Sequence, residues 1–236
     1  MIEVTHINKT FGKLHVLRDV SFRSDGGTCL ALIGPNGCGK TTLIKSILGM
    51  VLPDSGTIAV NNEPVANGWA YRSQIGYMPQ IGRYPENMTI GQVMEMISDI
   101  RQTDQKTDED IINAFSLRQL YNKRMGTLSG GTMQKVSAAI AFLFNPGIMI
   151  LDEPTAGLDP VASEILKEKI LHEKAKGKLI MITSHILSEL DDLISHVMYM
   201  QDGNLVFNKD IETLRSETGE DKLSKAIAHF MKKTDR

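Results

Sequence analysis

The segment Gly34-Pro35-Asn36-Gly37-Cys38-Gly39-Lys40-Thr41 constrains this chain more than any other. It fits the pattern G-x-x-x-x-G-K-[ST], after the apolar run Cys29-Leu30-Ala31-Leu32-Ile33 and before a helical stretch from Lys40 to Leu48. Such a run reads as a strand buried on both faces of a parallel sheet. Small residues in the loop let successive backbone N–H groups converge on phosphate oxygens, and the following helix adds the positive end of its dipole. Lys40 is placed to reach β- and γ-phosphates, and the Thr41 hydroxyl to ligate Mg²⁺. A glycine-rich turn with a chance lysine would lack this strand-before, helix-after context. Cys38 reads as a loop position without chemistry of its own.

The rest of the chain agrees with an α/β core. Ile2 to Asn8 and Val16 to Arg23 are strand candidates separated by Phe11-Gly12-Lys13, an antiparallel β part at the N-terminus. Pro53-Asp54-Ser55-Gly56 is a turn, flanked by strand candidates Thr57 to Val60 and Ile75 to Met78. Thr89 to Ile100 carries Ile90, Val93, Met94 and Ile97 on one helical face. Asp104 to Asp110 reads as a polar loop into a helix with Ile111, Ile112 and Phe115, and Ser129 to Phe144 as a well-buried helix. Beyond it come strand Ile148 to Leu151, helix Val161 to Lys174, strand Leu179 to Thr183 and helix Ile186 to Leu193. A hairpin, Val197 to Gln201 and Leu205 to Asn208, turns at Asp202-Gly203-Asn204. Strands alternating with helices imply a mainly parallel sheet with helices on both faces.

The expected organisation is a single domain over residues 1–236. Residues 1–81 and 146–216 form the β core, 82–145 an inserted helical subdomain, and 217–236 a C-terminal helix. In that helix Leu223, Ala226, Ile227, Phe230 and Met231 share a stripe, expected to pack on the parent domain. The methionines, among them Met78, Met88, Met94 and Met96, read as gap fillers of the core rather than a soft-metal site.

Composition excludes several classes. Twenty-six Lys+Arg against 28 Asp+Glu give a formal charge of −2, which argues against a chain that coats nucleic acid. Hydrophobic residues at 42% and charged residues at 23% are ordinary globular values. Two cysteines, Cys29 and Cys38, make no disulfide framework, so a reducing compartment is expected. The apolar stretch Ala138 to Phe144 is far shorter than the roughly 18 residues of a spanning helix. The start, with Glu3 and no basic segment before an apolar one, does not read as a secretory signal. A role at a membrane therefore requires another chain to supply the spans.

Two further motifs carry chemistry. Ile148-Met149-Ile150-Leu151-Asp152-Glu153 is an apolar strand ending in two carboxylates, which places them at the carboxyl edge of a parallel sheet, where α/β proteins bind ligands. Asp152 reads as a Mg²⁺ ligand, directly or through water, and Glu153 as the group that orients or deprotonates an attacking water. Leu128-Ser129-Gly130-Gly131 opens a helix with Ser129 as N-cap. The free N–H groups of Gly130, Gly131 and Thr132 then form an anion site, a weak signal by itself. Asp191 and Asp192 read as a solvated helix end.

On these residues the chain resembles the nucleotide-binding subunit of ATP-binding-cassette (ABC) transporters over nearly its whole length. Phe11 matches the aromatic that stacks on adenine, Gly34 to Thr42 the Walker A loop, and Gln80 in Gly76-Tyr77-Met78-Pro79-Gln80 the Q-loop glutamine. Leu128 to Gly131 match the family signature and Asp152-Glu153 the Walker B pair. Ala156-Gly157-Leu158-Asp159 match the D-loop, and His185 in Thr183-Ser184-His185 the switch histidine. Thr132 departs from the glutamine usual after the signature glycines; the backbone donors are unaffected.

The resemblance implies a P-loop NTPase fold that binds ATP and Mg²⁺. Nucleotide contacts fall on Phe11, Gly34, Pro35, Asn36, Gly37, Cys38, Gly39, Lys40, Thr41 and Thr42, and on Ser129, Gly130, Gly131 and Asp159 of a facing copy. Thr41, Gln80 and Asp152 are the implied metal ligands; Glu153, His185, Lys40 and Gln80 are the implied catalytic groups. Two copies would meet head to tail, each ATP between one Walker A loop and the other signature helix, and drive an integral-membrane subunit from the cytoplasmic face of the membrane. Exposed apolar residues from Ile81 to Met96 are the candidate docking surface. Lys135 to Pro146, Ile165 to Lys169 and Ser188 to Leu193 are similar to the ATPase of a copper-processing exporter that matures nitrous oxide reductase, which would make the cargo a copper or sulfur species. Two other readings stand beside this one: a soluble ABC ATPase acting on nucleic acid or ribosomes, and a non-hydrolysing regulator. One short helical insertion, no basic stripe and filled catalytic positions weigh against both.

Overall fold

Cys29–Ile33, buried at every position, is the strand on which the molecule is organised. The structure is a computed structural model, and it describes residues 1–101, 106–184 and 191–234. Counting from the N-terminus, β1 (Ile2–Phe11) and β2 (Leu14–Ser24) form an antiparallel hairpin. β4 (Ser55–Val60) and the short β5 (Glu63–Pro64) complete a four-stranded sheet of order β2-β1-β4-β5. Cys29–Ile33 is β3. It lies inside a second sheet with β6 (Ile75–Met78), β7 (Ile148–Asp152), β8 (Leu179–Thr183), β9 (His196–Gln201) and β10 (Asn204–Asp210). Its order is β10-β9-β3-β8-β7-β6. All its pairings are parallel except β9 with β10.

Alternation within the strands explains their apolar runs. Cys29, Ala31 and Ile33 of β3, Met149 and Leu151 of β7, and Ile180 and Ile182 of β8 pack into one hydrophobic cluster. Leu30 and Leu32, Ile148 and Ile150, Leu179 and Met181 pack into another. Side chains of a strand alternate in direction, so the two clusters cover opposite faces of the parallel sheet. The second cluster also holds Ile2, Val4, Ile7, Leu17 and Val20 of the N-terminal sheet, and Leu43, Ile44 and Ile47 of α1 (Lys40–Ile47).

The other face is covered by helices. Between β6 and β7 the described chain forms α2 (Ile90–Arg101), α3 (Asp110–Ala114) and α4 (Gly130–Phe142). α5 (Pro160–Ala175) joins β7 to β8, and α6 (Ile211–Thr218) and α7 (Leu223–Thr234) follow β10. Leu223, Ala226 and Ile227 of α7 are buried in the same cluster as α2, α4 and α5, so this part of the stripe packs on its own chain; the side chains of Phe230 and Met231 lie outside the described residues. Both cysteines are free and buried, and burial pushes the Cys29 thiol up to about 12.

An ion network crosses from α5 to the start of α3 and the segment before it. Lys169 Nζ, almost wholly buried, lies 2.6 Å from Asp108, 2.7 Å from Asp110 and 3.1 Å from Glu173. Glu173, with no exposed side-chain surface, also pairs with Lys176 and Lys178. Burial alone would raise its pKa, but hydrogen bonds from Lys178, Lys176 and Lys169 outweigh it and hold the carboxyl at about 2.

Several expectations are corrected. The first strands run longer, to Phe11 and from Leu14 to Ser24. The helix holding Ile111 and Ile112 is only five residues, and Phe115 stands at its C-cap. The helix from Ser129 stops at Phe142, with Leu143 as C-cap. Of the helix expected from Ile186 to Leu193, residues 186–190 lie outside the described residues, and Asp191 to Leu193 form a turn. α6 was not foreseen; its signal was Asp210, whose carboxylate caps the helix by accepting the Thr213 N–H at 2.8 Å.

Candidate functional site

The parallel register brings β3, β7 and β8 to a common carboxyl edge, with Asp152 opposite Thr183 and Leu32 also opposite Thr183. At this edge lies a cavity of about 490 Å³. Asn36, Gly37, Gly39, Lys40, Thr41 and Thr42 of the loop and first turn of α1 form one wall. Gln80, just after β6, and Asp152 and Glu153, at the end of β7, form the other. Leu14 and Val16 of β2 also line it, and sequence reasoning missed them. Their signal was weak: they follow Phe11 across a tight turn, on a strand whose cavity wall is set by the hairpin's placement.

Backbone geometry explains the glycine at the loop's start. Gly34 has φ 150°, and a Cβ there would lie 2.1 Å from the Met200 carbonyl oxygen and 2.7 Å from Cys38 Sγ. Only glycine lets the loop turn over β9 at that spacing. Lys40 Nζ folds back across the loop, donating to the carbonyls of Gly34 at 2.7 Å and Pro35 at 3.0 Å. The first N–H groups of α1 have no partners within a helix and, with the dipole, favour an anion.

The acidic wall is held from behind. Thr183 Oγ1 donates to Asp152 Oδ1 at 2.5 Å and accepts the Glu153 N–H at 3.0 Å. Asp152 is buried, and burial together with its charge pushes the Tyr77 hydroxyl up to about 12. Thr41, Gln80 and Asp152 present a hydroxyl, an amide oxygen and a carboxylate to one cavity. These are hard oxygen donors of the kind that Mg²⁺ takes alongside phosphate oxygens and water.

The other residues singled out in the sequence lie elsewhere. Ser129 caps α4, its Oγ accepting the Thr132 N–H at 3.3 Å and lying 2.9 Å from the Thr132 hydroxyl. Ser129 and Gly130 are exposed, and with Gly131 and Asp159 they stand outside the lining of the cavity. Gly131 abuts the loop after Glu153: a Cβ there would come within 2.8 Å of the Gly157 carbonyl oxygen. Asp159 caps α5 by accepting the Ala162 N–H at 2.9 Å and pairs with Lys135 of α4. The Lys135 ammonium, with the Ala162 N–H, keeps its carboxyl below the usual range. Phe11 ends β1 at 48% exposure with Lys9 Nζ 5.3 Å from its ring centre; it stands opposite Leu14 but does not line the cavity. His185 lies outside the described residues.

Comparison with known proteins gives the family. The profile of the family described as ABC transporter matches residues 17–156. A curated relative from Rhizobium sp., Nod factor export ATP-binding protein I, is 33% identical over 207 residues, covering 86% of this chain and 68% of the relative. A solved ATP-binding subunit of an ABC transporter superposes with TM-score 0.91 at 29% identity, over 98% of this chain and 99% of that one. A dimeric ATP-binding cassette in a post-hydrolysis state with ADP and Pi is 21% identical, with TM-score 0.80 over 89% of this chain and 99% of that one; at that identity it speaks for the fold. The chain belongs to the ABC transporter family and is an ATP-hydrolysing ATP-binding cassette of it.

Proposed function

We propose that this chain works in pairs, each copy completing the other's ATP site, and that hydrolysis there energises an exporter whose spans belong to a separate membrane subunit. The observation that carries the reading is a division of the site. Lys40, Thr41, Gln80, Asp152 and Glu153 surround one cavity, while the exposed anion site at Ser129 and Gly130 lies outside it. A triphosphate seated on the loop has its γ-phosphate turned toward the acidic wall and solvent. Donors for its outer side then have to come from a second copy's α4. In this reading residues 1–81 and 146–216 are the nucleotide-binding core and 82–145 a helical insertion.

Each group has a role in this reading. Backbone N–H groups from Asn36 to Thr42 bind the phosphates, and Lys40 leaves its two carbonyl partners to reach the β- and γ-oxygens. Mg²⁺, held by Thr41, Asp152 and Gln80, would neutralise charge on those oxygens. Glu153 accepts a proton from the water that attacks the γ-phosphorus in line, and His185 stabilises the charge that develops. Phe11 offers a ring to adenine, and Asp159 links the two sites. The decisive test mixes two inactive variants, Lys40→Ala and Ser129→Arg. A mixed pair keeps one intact composite site, so ATPase activity returns on mixing; persistent inactivity refutes the pairing.

The membrane subunit's seat is proposed on the exposed apolar face beside Gln80. Ile81 is 69% exposed, and Met50, Leu52 and Trp69 also show large apolar surface. A groove of about 210 Å³ opens between α2 and the start of β6, lined by Met50, Tyr77, Ile97 and Phe144 with Arg72 and Arg101. This chain would thus sit peripherally at the cytoplasmic face through its partner; among its described residues, no helix is long and apolar enough to cross a membrane. The Rhizobium relative is described by Nod factor export, and no relative above speaks for copper. Cargo contacts fall on the membrane subunit, so the proposal ends at export.

A further inference from the structure

Gln134 is a buried polar side chain of α4 that none of the roles above uses. Its Nε2 donates to the main-chain carbonyl of Glu153 at 3.3 Å. On the other side of that residue, the Glu153 N–H is shared between the Thr183 carbonyl at 3.1 Å and the Thr183 hydroxyl at 3.0 Å. Between these bonds Glu153 has φ 51°, the left-handed region that a residue with a Cβ enters only where its surroundings hold it. Both peptide groups flanking Glu153 are therefore tied, one to β8 and the other to α4.

The two ties differ in what they attach to. β8 is a central strand of the sheet, buried on both faces. α4 is the helix whose exposed N-terminus is capped by Ser129. One face of its first turns meets the loop after Glu153 in sequence: Gly131 at Gly157, Lys135 at Asp159, and Gln134 at Glu153. Of these contacts, the one from Gln134 reaches the carboxylate-bearing residue itself. A helix turn moves as a unit, so a shift of the Ser129 end carries Gln134 with it.

We infer that Gln134 is a positioning residue: it holds the strained backbone of Glu153 so that its carboxylate faces the water site, and it ties that carboxylate to the seating of α4. The inference rests on the reading of Glu153 as general base. It makes the anion site at Ser129 and the proton acceptor of the same chain two ends of one short rigid link. A ligand that seats the helix then sets the acceptor in the neighbouring site as well.

Gln134→Met keeps the shape of the side chain and removes the donor. With the full chain, kcat is expected to fall about tenfold or more, as for a displaced catalytic group. KM for ATP and the Kd of a fluorescent ATP analogue are expected to stay within about twofold, because the phosphate loop is untouched. In a Glu153→Gln background the same substitution should leave the residual rate where it is, since the group it positions is already gone. Unchanged kcat in Gln134→Met, a weakening of nucleotide binding in step with the rate, or an additive loss in the double variant overturns the inference. Near-normal turnover of Glu153→Gln alone overturns the reading beneath it instead. The fluorescent-nucleotide titration shows for each variant that the chain is folded.

Discussion

Lys135 Nζ lies 2.7 Å from Asp159 Oδ2, which joins the first turns of α4 to the cap of α5 within one chain. The carboxylate has two tasks there, because its other oxygen accepts the Ala162 N–H and starts the helix. Lys135→Met is expected to let the Asp159 pKa rise toward its ordinary value, since the lysine is the largest cause of its depression. The sign follows: a depressed carboxyl contributes stability above its unfolded pKa and loses it as pH falls through the folded value. The variant should thus lose the capping carboxylate at a higher pH than the wild type. Side-chain carboxyl titration by NMR checks it; an unmoved Asp159 pKa would disprove the link.

Glu153→Gln is expected to lower turnover by about 100-fold or more while ATP affinity persists, because only the carboxylate proposed to activate water is lost. With MgATP retained and unhydrolysed, the variant should elute as a dimer from gel filtration and as a monomer without nucleotide. Turnover near the wild-type rate would remove Glu153 from the catalytic role.

Glu173 offers a test of stability against pH. Its carboxyl stands at about 2 in the folded chain against a reference of 4.5. A lowered pKa stabilises the fold at pH above the unfolded value, and that contribution disappears as pH falls from about 4.5 to about 2. Glu173→Gln breaks a buried ion network and is expected to cost about 3 kcal/mol at neutral pH. The gap between variant and wild type should shrink as pH falls through that window. Urea unfolding at neutral and acid pH measures both; a gap independent of pH would contradict the assignment.

Ile81→Glu addresses the docking face. Ile81 is largely exposed, so the isolated chain should keep its melting temperature and its affinity for ATP. Co-purification with the membrane subunit should be lost. Retained association would exclude this surface.

The limits of β3 and β8 were legible because each strand is buried on both faces, which forces an unbroken apolar run on the sequence. The phosphate loop was legible because backbone chemistry demands glycine at fixed positions. α6 escaped notice: it buries only Ile211 and Leu214 and is otherwise polar, leaving little periodic signal. Leu14 and Val16 could not be assigned to the cavity, since they reach it through the pairing of β2 with β1. The contacts of Lys169 with Asp108 and Asp110, and of Gln134 with the Glu153 carbonyl, depend on which charged or amide group meets which oxygen across 19 to 61 residues of chain. Local patterning does not record such contacts.

The chain holds one tryptophan, Trp69, 76% exposed and one turn before Arg72 of the groove. It thereby carries an intrinsic optical probe on the face proposed for the membrane subunit and outside the lining of the phosphate cavity. Its emission should stay red and nearly constant through a nucleotide titration, and shift to the blue when the indole leaves water on assembly. Unlabelled protein can therefore report complex formation separately from nucleotide occupancy.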